Sequence, residues 1–390
     1  MSEWQELQVK DLIQQGIIEK PLDGNHGEID PKGEDFVASG IPFVMASDIN
    51  EGKVDLESCK FITEQQASSL RKGFAKAGDV LLTHKASLGR TALVPRLDTD
   101  YIMLTPQVTY YRIKDKARLL NSYLKYYFDS PFFQDTLINH GDAGSTRAYI
   151  GITAQHELPI ILPPLPEQKA IASVLSSLDD KIDLLHRQNQ TLEAMAETLF
   201  RQWFIEEAKE DWEISPLGDV VKIAYGKNLP TSKLLDSGYP VFGGNGQIGF
   251  YDRFLYSEPQ VLVSCRGEAS GKVNISLPNS FVTNNSLILE RKENGISFEY
   301  LKFYALAYDF SLHVSGSAQP QITIDGLFNA EFKWPPLDLV ESFTEVVRPL
   351  EDKRLTNYIQ VQTLENLRDT LLPKLMSGEV RVQYQTEEVA

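Results

Sequence analysis

Cysteine is nearly missing from this 390-residue chain: there are two, Cys59 and Cys265, far apart and with no His or Cys neighbour at metal-ligand spacing. That excludes a disulfide framework and leaves no zinc signature, so both read as small apolar residues destined for burial. Nowhere do 18 apolar residues run together, and no charged segment leads into an apolar one at either end. Neither a membrane span nor a secretion signal is expected, and a cytoplasmic location is. Positive charge is also short: 38 Lys and Arg face 54 Asp and Glu, for a formal net charge of −16. A protein whose whole surface wraps nucleic acid is thereby excluded, although a local basic face, or a basic partner supplying phosphate contacts, is not. The six histidines are scattered, and His84, His140 and His313 read as surface or structural residues.

Against this background stands one long, regular stretch, residues 163–204. It opens Pro-Pro-Leu-Pro-Glu, and Ile171, Leu178, Leu185, Leu192 and Leu199 then recur every seven residues. Leu175, Ile182, Asn189, Ala196 and Trp203 interleave as a second seam position. The pattern predicts an amphipathic helix with a coiled-coil seam, roughly 55–60 Å long at about 1.5 Å per residue. Such a helix is too long for the core of one small domain and reads as a spacer or docking rod. Asn189 in its apolar seam is expected to fix register, or else to sit at an exposed edge if the helix bends.

The stretch has a copy. Pro-Pro-Leu at Pro163 reappears at Pro335, Gln-Thr-Leu-Glu at Gln190 reappears at Gln362, and 14 of 42 ungapped positions are identical at the offset of 172. The seam of the copy runs through Leu364 and Leu371 but carries Arg354, Asn357 and Arg368 where the first helix has Ile182, Leu185 and Ala196. Pro349 within it should kink the helix or delay its start to about residue 349. The segments ahead of the two helices repeat as well. Ile41-Pro-Phe-Val is echoed by Tyr239-Pro-Val-Phe, the run from Val80 by the run from Val261, and Tyr123-Leu-Lys by Tyr300-Leu-Lys. Ordered self-similarity of this kind favours duplication. The expected architecture is α+β (mixed α/β), with two pseudo-repeated globular domains separated by two long antiparallel coiled-coil helices. The boundaries read as residues 1–158, 159–207, 208–334, 335–377 and a tail at 378–390, with Gly378 as helix stop followed by a short strand. Helical segments are expected at 63–72 and 121–139 within short-stranded surroundings.

No motif for catalysis emerges. Gly244, Gly246 and Gly249 form a G-x-G-x-x-G, but the aromatic, strand-like sequence after it does not open a helix, so a mobile glycine loop is the better reading than a dinucleotide site. A G-x-x-x-x-G-K-[ST] phosphate loop is missing, as is an Asn-Pro-Pro-aromatic methyltransferase motif. Glu268 and Lys272 stand in an E-x-x-x-K spacing without an upstream acid to complete a nuclease metal site. More informative are Lys85, Arg90, Arg266 and Lys272, which lie beside small residues in equivalent positions of the two repeats. Gln107, Asn284, Asn285, Arg147, Tyr149, Gln319 and Gln321 join them from other equivalent loops. Arg and Lys suit phosphates and guanine edges, while Asn and Gln suit adenine edges. Taken singly, each could equally be a turn residue fixing a strand end.

The run Pro-Leu-Pro-Glu-Gln-Lys-Ala-Ile at 164–171, Leu-Phe-Arg-Gln-Trp-Phe at 199–204, the copy ending Leu-Leu-Pro-Lys-Leu-Met-Ser-Gly and the Gly-Ser loops before each Pro-Pro-Leu resemble specificity subunits of type I restriction-modification systems. The likeness spans nearly the full chain, and its specific part lies in the helices and their flanks. It implies two target-recognition domains, each reading half of a bipartite site in double-stranded DNA. It also implies antiparallel helices, with a seam including Leu175, Leu178, Ile182, Leu185, Asn189, Leu192 and Leu199, that set the gap and bind two methyltransferase subunits. No cofactor is expected on this chain. S-adenosylmethionine, and ATP and Mg where a restriction or translocase subunit is present, would be used by partners. Rods of this length would hold half-sites roughly 50–60 Å apart, about 15–18 base pairs. Two other readings stay open on sequence grounds: a stand-alone DNA-binding regulator or coiled-coil scaffold, and a nucleotide-dependent enzyme built on the glycine motif.

Overall fold

The computed structural model describes residues 4–140, 149–292, 295–316 and 319–382. Its chain forms two compact units, Met1–Leu184 with Gln360–Ala390, and Leu185–Ile359. Both units carry parts of both long helices.

In the first unit, Thr91–Leu93, Val80–Thr83, Val108–Tyr111 and Leu22–Asp23 make an antiparallel four-stranded sheet in that order. Val80–Thr83 and Val108–Tyr111 are buried at every residue, Thr83 and Thr109 included, as strands covered on both faces are. A five-stranded sheet runs Phe36–Val37, Lys60–Ile62, Ile41–Val44, Ile102–Leu104, Phe74–Ala75, with Ile41–Val44 and Ile102–Leu104 parallel. Gln5–Gln8 pairs antiparallel with Pro159–Leu162, the strand that feeds the first long helix.

The second unit repeats this plan. Val273–Ile275, Val261–Ser264, Ser286–Arg291 and Val221–Tyr225 form the four-stranded sheet in the same order. Tyr239–Gly243 pairs parallel with Phe281–Val282, and Ile214–Pro216 pairs with Glu331–Lys333 as Gln5–Gln8 does with Pro159–Leu162. The echoes from Ile41 and Val80 therefore occupy matching strands, and Tyr123 and Tyr300 lie in the helices Asn121–Asp129 and Phe298–Ala307. The glycine motif is no loop. A two-residue turn, Gly244 and Asn245, joins Tyr239–Gly243 to Gly246–Tyr251 in a hairpin, and the strand leaves no helix N-terminus for a dinucleotide.

The shorter helices correct two expectations. The first is only Glu64–Ser69, started by Thr63, whose hydroxyl accepts from the Gln66 amide. The second splits into Asn121–Asp129 and Pro131–His140, because Pro131 lacks an amide hydrogen and drives Ser130 to an extended φ of −65° and ψ of 142°.

The long helices are Leu165–Arg201 and Leu337–Ser377, roughly 55 and 60 Å at about 1.5 Å per residue. Pro349 does not delay the second helix, which is already twelve residues old there. It sits on the exposed face, where the carbonyl of exposed Glu345 that it leaves without an amide is open to water. Gly378 does stop this helix, with φ 74°, and Val380 donates back to the Lys374 carbonyl. The short strand expected beyond it falls mostly outside the described residues.

Within the second unit, Glu193 pairs with Arg354 and Asn189 with Asn357. Within the first unit, Asp179 pairs with Arg368. In the second unit one number falls as the other rises, and in the first unit the further pair of Glu167 with Arg381 gives the same trend, so in each unit the segments run antiparallel. Leu175, Ile182 and Leu185 are buried; Leu178, Leu192, Leu199, Leu364 and Leu371 are half-buried. Past Ala196, which is buried as expected, the first helix turns its buried face by one residue, from Leu199 and Trp203 to Phe200 and Phe204. A straight helix of 3.6 residues per turn drifts against a strict heptad in this way, and the helix closes in a π turn at Gln202–Glu206.

Candidate nucleic-acid interface

In both units the central strand of the four-stranded sheet ends in the same knot of backbone hydrogen bonds. Thr83 takes the Gly89 amide at 2.9 Å and gives its own to Arg90 at 2.8 Å; Ser264 does the same with Gly271 and Lys272 at the same distances. The next residue reaches two other loops. The His84 amide donates to Gln107 at 2.9 Å and its carbonyl accepts from Ile150 at 3.1 Å, while Cys265 donates to Asn285 at 3.0 Å and accepts from Ile322 at 3.1 Å. These bonds give the equivalences Lys85 with Arg266, Arg90 with Lys272, Gln107 with Asn285 and Tyr149 with Gln321. The residue after each leading cation is left-handed, Ala86 at φ 68° and Gly267 at φ 73°, so the loop turns back sharply at the cation.

Close backbone approach makes the site possible. Gly24 and Gly226 follow matching edge strands, and a Cβ there would lie 1.9 Å from the Leu104 carbonyl oxygen and 2.2 Å from that of Thr283. Only glycine lets these strands pack on the chain leading to Gln107 and Asn285.

Lys85 is exposed with its ammonium 5.9 Å from the Tyr149 ring centroid, and Tyr149 is also exposed. In the second unit Arg266, Lys272, Asn285, Gln319 and Gln321 are exposed and Asn284 is half-buried, as Gln107 is in the first. Asn284 stands one residue before the shared position, with its carbonyl facing the Cys265 thiol at 3.7 Å. Arg147 lies outside the described residues. Arg90 differs from Lys272: its guanidinium donates to the Asn50 side chain at 2.9 Å and to the Ile49 and Ala46 carbonyls. It therefore anchors a neighbouring hairpin, whereas Lys272 forms no ion pair among the described residues.

Two further participants are a turn that the sequence reads as part of a mobile loop and a histidine that it reads as surface or structural. Ser264 and Asn274 donate to the Gly244 carbonyl, which ties the Gly244–Asn245 turn to the strand end and sets exposed Asn245 beside the cluster. The Gly-Asn dipeptide between apolar strands was the signal for it. The other is His84, 1% exposed, with Nδ1 donating to the Ile150 carbonyl at 3.0 Å and Nε2 without a hydrogen bond, 3.9 Å from Asp23. Burial holds its pKa below the usual value despite Asp23, which is itself paired with Lys72 and His26.

Both cysteines are buried and free. Among the described residues no group of three His, Cys, Asp or Glu is placed to hold a metal, and no helix is long and apolar enough to cross a membrane. The site offers cations and amides at strand ends, a chemistry of hydrogen bonding to base edges and phosphates.

The model of the family described as type I restriction modification DNA specificity domain matches the chain at residues 1–194 and 209–356. Over 372 aligned residues the chain is 27% identical to the type I restriction enzyme MjaIX specificity subunit of Methanocaldococcus jannaschii, covering 83% of this chain and 82% of that one. The putative type I restriction enzyme MjaX specificity subunit of the same organism is 22% identical, with 98% and 94% covered. The crystal structure of the type I restriction-modification system S subunit from M. genitalium shares the fold, with a TM-score of 0.65, 18% identity, and 98% and 97% of the two chains covered.

Proposed function

The chain belongs to the type I restriction-modification DNA specificity family, and from that premise we propose that its two strand-end clusters each read one half of a bipartite DNA site. The protein is the DNA-recognition subunit of a type I restriction-modification complex and not its catalytic member. What carries the proposal is the repetition of one hydrogen-bonded knot with different side chains on it: Lys85, Gln107 and Tyr149 in one unit, Arg266, Asn285 and Gln321 in the other. The same scaffold with different donors and acceptors presents different base-edge partners. Lys272, Asn284, Asn245 and Gln319 border the second cluster, and Arg147 is assigned to the first on its sequence position alone. Arg90 acts indirectly, by holding the hairpin beside the first cluster.

Two modification subunits dock on the outward faces of the long helices and bring S-adenosylmethionine. A restriction or translocase subunit, where the system has one, brings ATP and Mg. The net charge of −16 fits a division of labour in which partners neutralise most phosphates. DNA binding by this chain alone is then weak and salt-sensitive.

The test is to sequence modified adenines in DNA from cells making the complex. Two unrelated half-sites around a fixed spacer are expected, and one uninterrupted motif would overturn the reading.

A further inference from the structure

The two units differ most where the paired strands following Ile41 and Tyr239 are joined. In the second unit Gly244 and Asn245 suffice. In the first, residues 45–59 intervene before Lys60–Ile62 and form a hairpin, Ile49–Asn50 with Lys53–Val54, turned by Glu51 at φ 51° and Gly52 at φ 76°. One side of this hairpin is apolar: Ile49 is fully buried, and Val54 and Leu56 pack on the cluster that includes Ala92. It lies against Thr91–Leu93, its tip lysine, Lys53, pairs with Asp183 of the first long helix, and Gly52 abuts Lys125.

The second unit has the counterpart of each surface that the hairpin touches, but among the described residues no hairpin covers them. Val273–Ile275 corresponds to Thr91–Leu93, Lys302 to Lys125 and, at the offset of 172, Leu355 to Asp183. All of them line an open cleft of about 1040 Å³. Six carboxylates and four cations border the cleft, and Glu258 and Asp352 form no ion pair among the described residues. Its charge therefore disfavours a nucleic-acid backbone and suits a basic protein segment.

We propose that this cleft receives a hairpin or loop of a partner protein, apolar on one side and basic at its tip, in the place that residues 45–59 fill in the first unit. The proposal rests on the reading above, in that the partner is the modification subunit. The two units consequently offer it unequal docking faces, one closed by the chain itself and one open.

The experiment uses the full chain assembled with its modification subunit and DNA, with a photoreactive benzoylphenylalanine at position 306 on the cleft wall. Assembly is measured separately by mass in solution. Cross-linking to a Lys- or Arg-bearing loop of the modification subunit is expected. Cross-links to DNA, to a second copy of this chain or only within the chain, from an intact assembly, would overturn the inference and leave the family reading standing. Failure to assemble would overturn both. As an independent arm, Glu258→Lys with Asp352→Lys is expected to weaken association with the modification subunit about tenfold. Glu57→Lys, on the hairpin of the first unit, serves as the matched control and is expected to leave association unchanged. Unchanged association in the double variant would also overturn the proposal.

Discussion

At the start of the long helix the first unit adds polar clamps to its apolar packing, where the matching positions of the second unit are apolar. Buried Glu167 accepts from Trp4 at 2.9 Å and from Arg381, and buried Gln168 bonds the Leu120 amide and the Arg118 and Pro163 carbonyls. At the offset of 172 the second helix has Leu339 and Val340, which join an aromatic core around Phe200, Phe303 and Phe343. Midway along the helices both units are polar: in the first, Asp179 holds Arg368 and accepts from Tyr126 at 2.7 Å, and in the second, fully buried Asn357 gives its amide to Asn189 at 2.9 Å and Arg354 is bound to Glu193 and Glu351. A duplicated scaffold thus keeps its strand order and its knots while exchanging what surrounds them. Polarity placed in one seam at one point also specifies alignment, since sliding the helices would leave Asn357 buried without Asn189.

The comparison breaks most sharply at the two close-approach glycines. Gly24→Ala is expected to unfold the first unit and Gly226→Ala the second, each by roughly 3 kcal/mol or more, because the new methyl group meets a backbone carbonyl that cannot move aside. Hydrogen exchange resolved by strand should show protection lost in Val80–Thr83 for one variant and in Val261–Ser264 for the other. Loss across both strands in either variant would show that the units fold as one. Smaller and more selective is the effect of the leading cations. Arg266→Ala should relax the modified sequence at one half-site and Lys85→Ala at the other, at about 1–3 kcal/mol for a base contact. If both variants relaxed the same half-site, the equivalence of the two knots would not extend to recognition.

Much of this architecture is legible in the amino-acid sequence. The offset of 172 locates the second helix and the loop equivalence of Tyr149 with Gln321, and the ordered echoes locate matching strands, because duplication leaves a pattern that survives divergence of single residues. Pro349 misleads because a proline on a solvent-facing turn costs a helix little of its continuity, and exposure is not written in a heptad. The helix expected at 121–139 breaks where the residue before Pro131 cannot stay helical, a local rule that the apolar periodicity masks. At the site, residue types are readable but commitments are not. Arg90 and Lys272 look alike in sequence, and only the neighbouring hairpin, inserted in one unit and without a counterpart among the described residues of the other, engages the Arg90 guanidinium.

His84 and Cys265 occupy the same knot, and pH separates them. The His84 ring faces Asp23, His26 and Tyr149, with Lys72 held on Asp23, and its pKa lies below the ordinary 6.5 because burial disfavours the imidazolium. As pH falls, the unfolded chain binds this proton first, so the stability of the first unit declines from about pH 6.5 downward until the folded histidine also titrates. His156, lowered likewise by burial, acts in the same direction and the same unit. Exchange protection should therefore fall between pH 7.5 and about 5.5 in Val80–Thr83 and hold in Val261–Ser264, at roughly 1.4 kcal/mol per proton and pH unit at most. His84→Gln, which keeps a donor towards Ile150 but cannot titrate, should flatten that slope. An equal slope in both units would assign the acid sensitivity to surface carboxylates instead.

The smallest expected effect concerns what holds the hairpin at residues 45–59 in place. Its tip ion pair, Lys53 with Asp183, joins side chains that are 58% and 39% exposed, and pairs of that kind contribute about 0–1 kcal/mol. The buried Ile49, the half-buried Val54 and Leu56, and the Arg90 bonds to the hairpin should hold it without the lysine. Lys53→Ala is accordingly expected to lower the melting temperature by no more than about 2 °C, with modification of both half-sites retained. Ile49→Ala, which removes a fully buried side chain from the same hairpin, should cost about 2–5 kcal/mol. The ratio between the two variants is what matters for the open cleft of the second unit. If Lys53→Ala proved the more damaging, charge and not the apolar side would be what seats a hairpin on this scaffold, and the cleft, where Leu355 stands in place of Asp183, would have to supply that charge from Glu258 and Asp352.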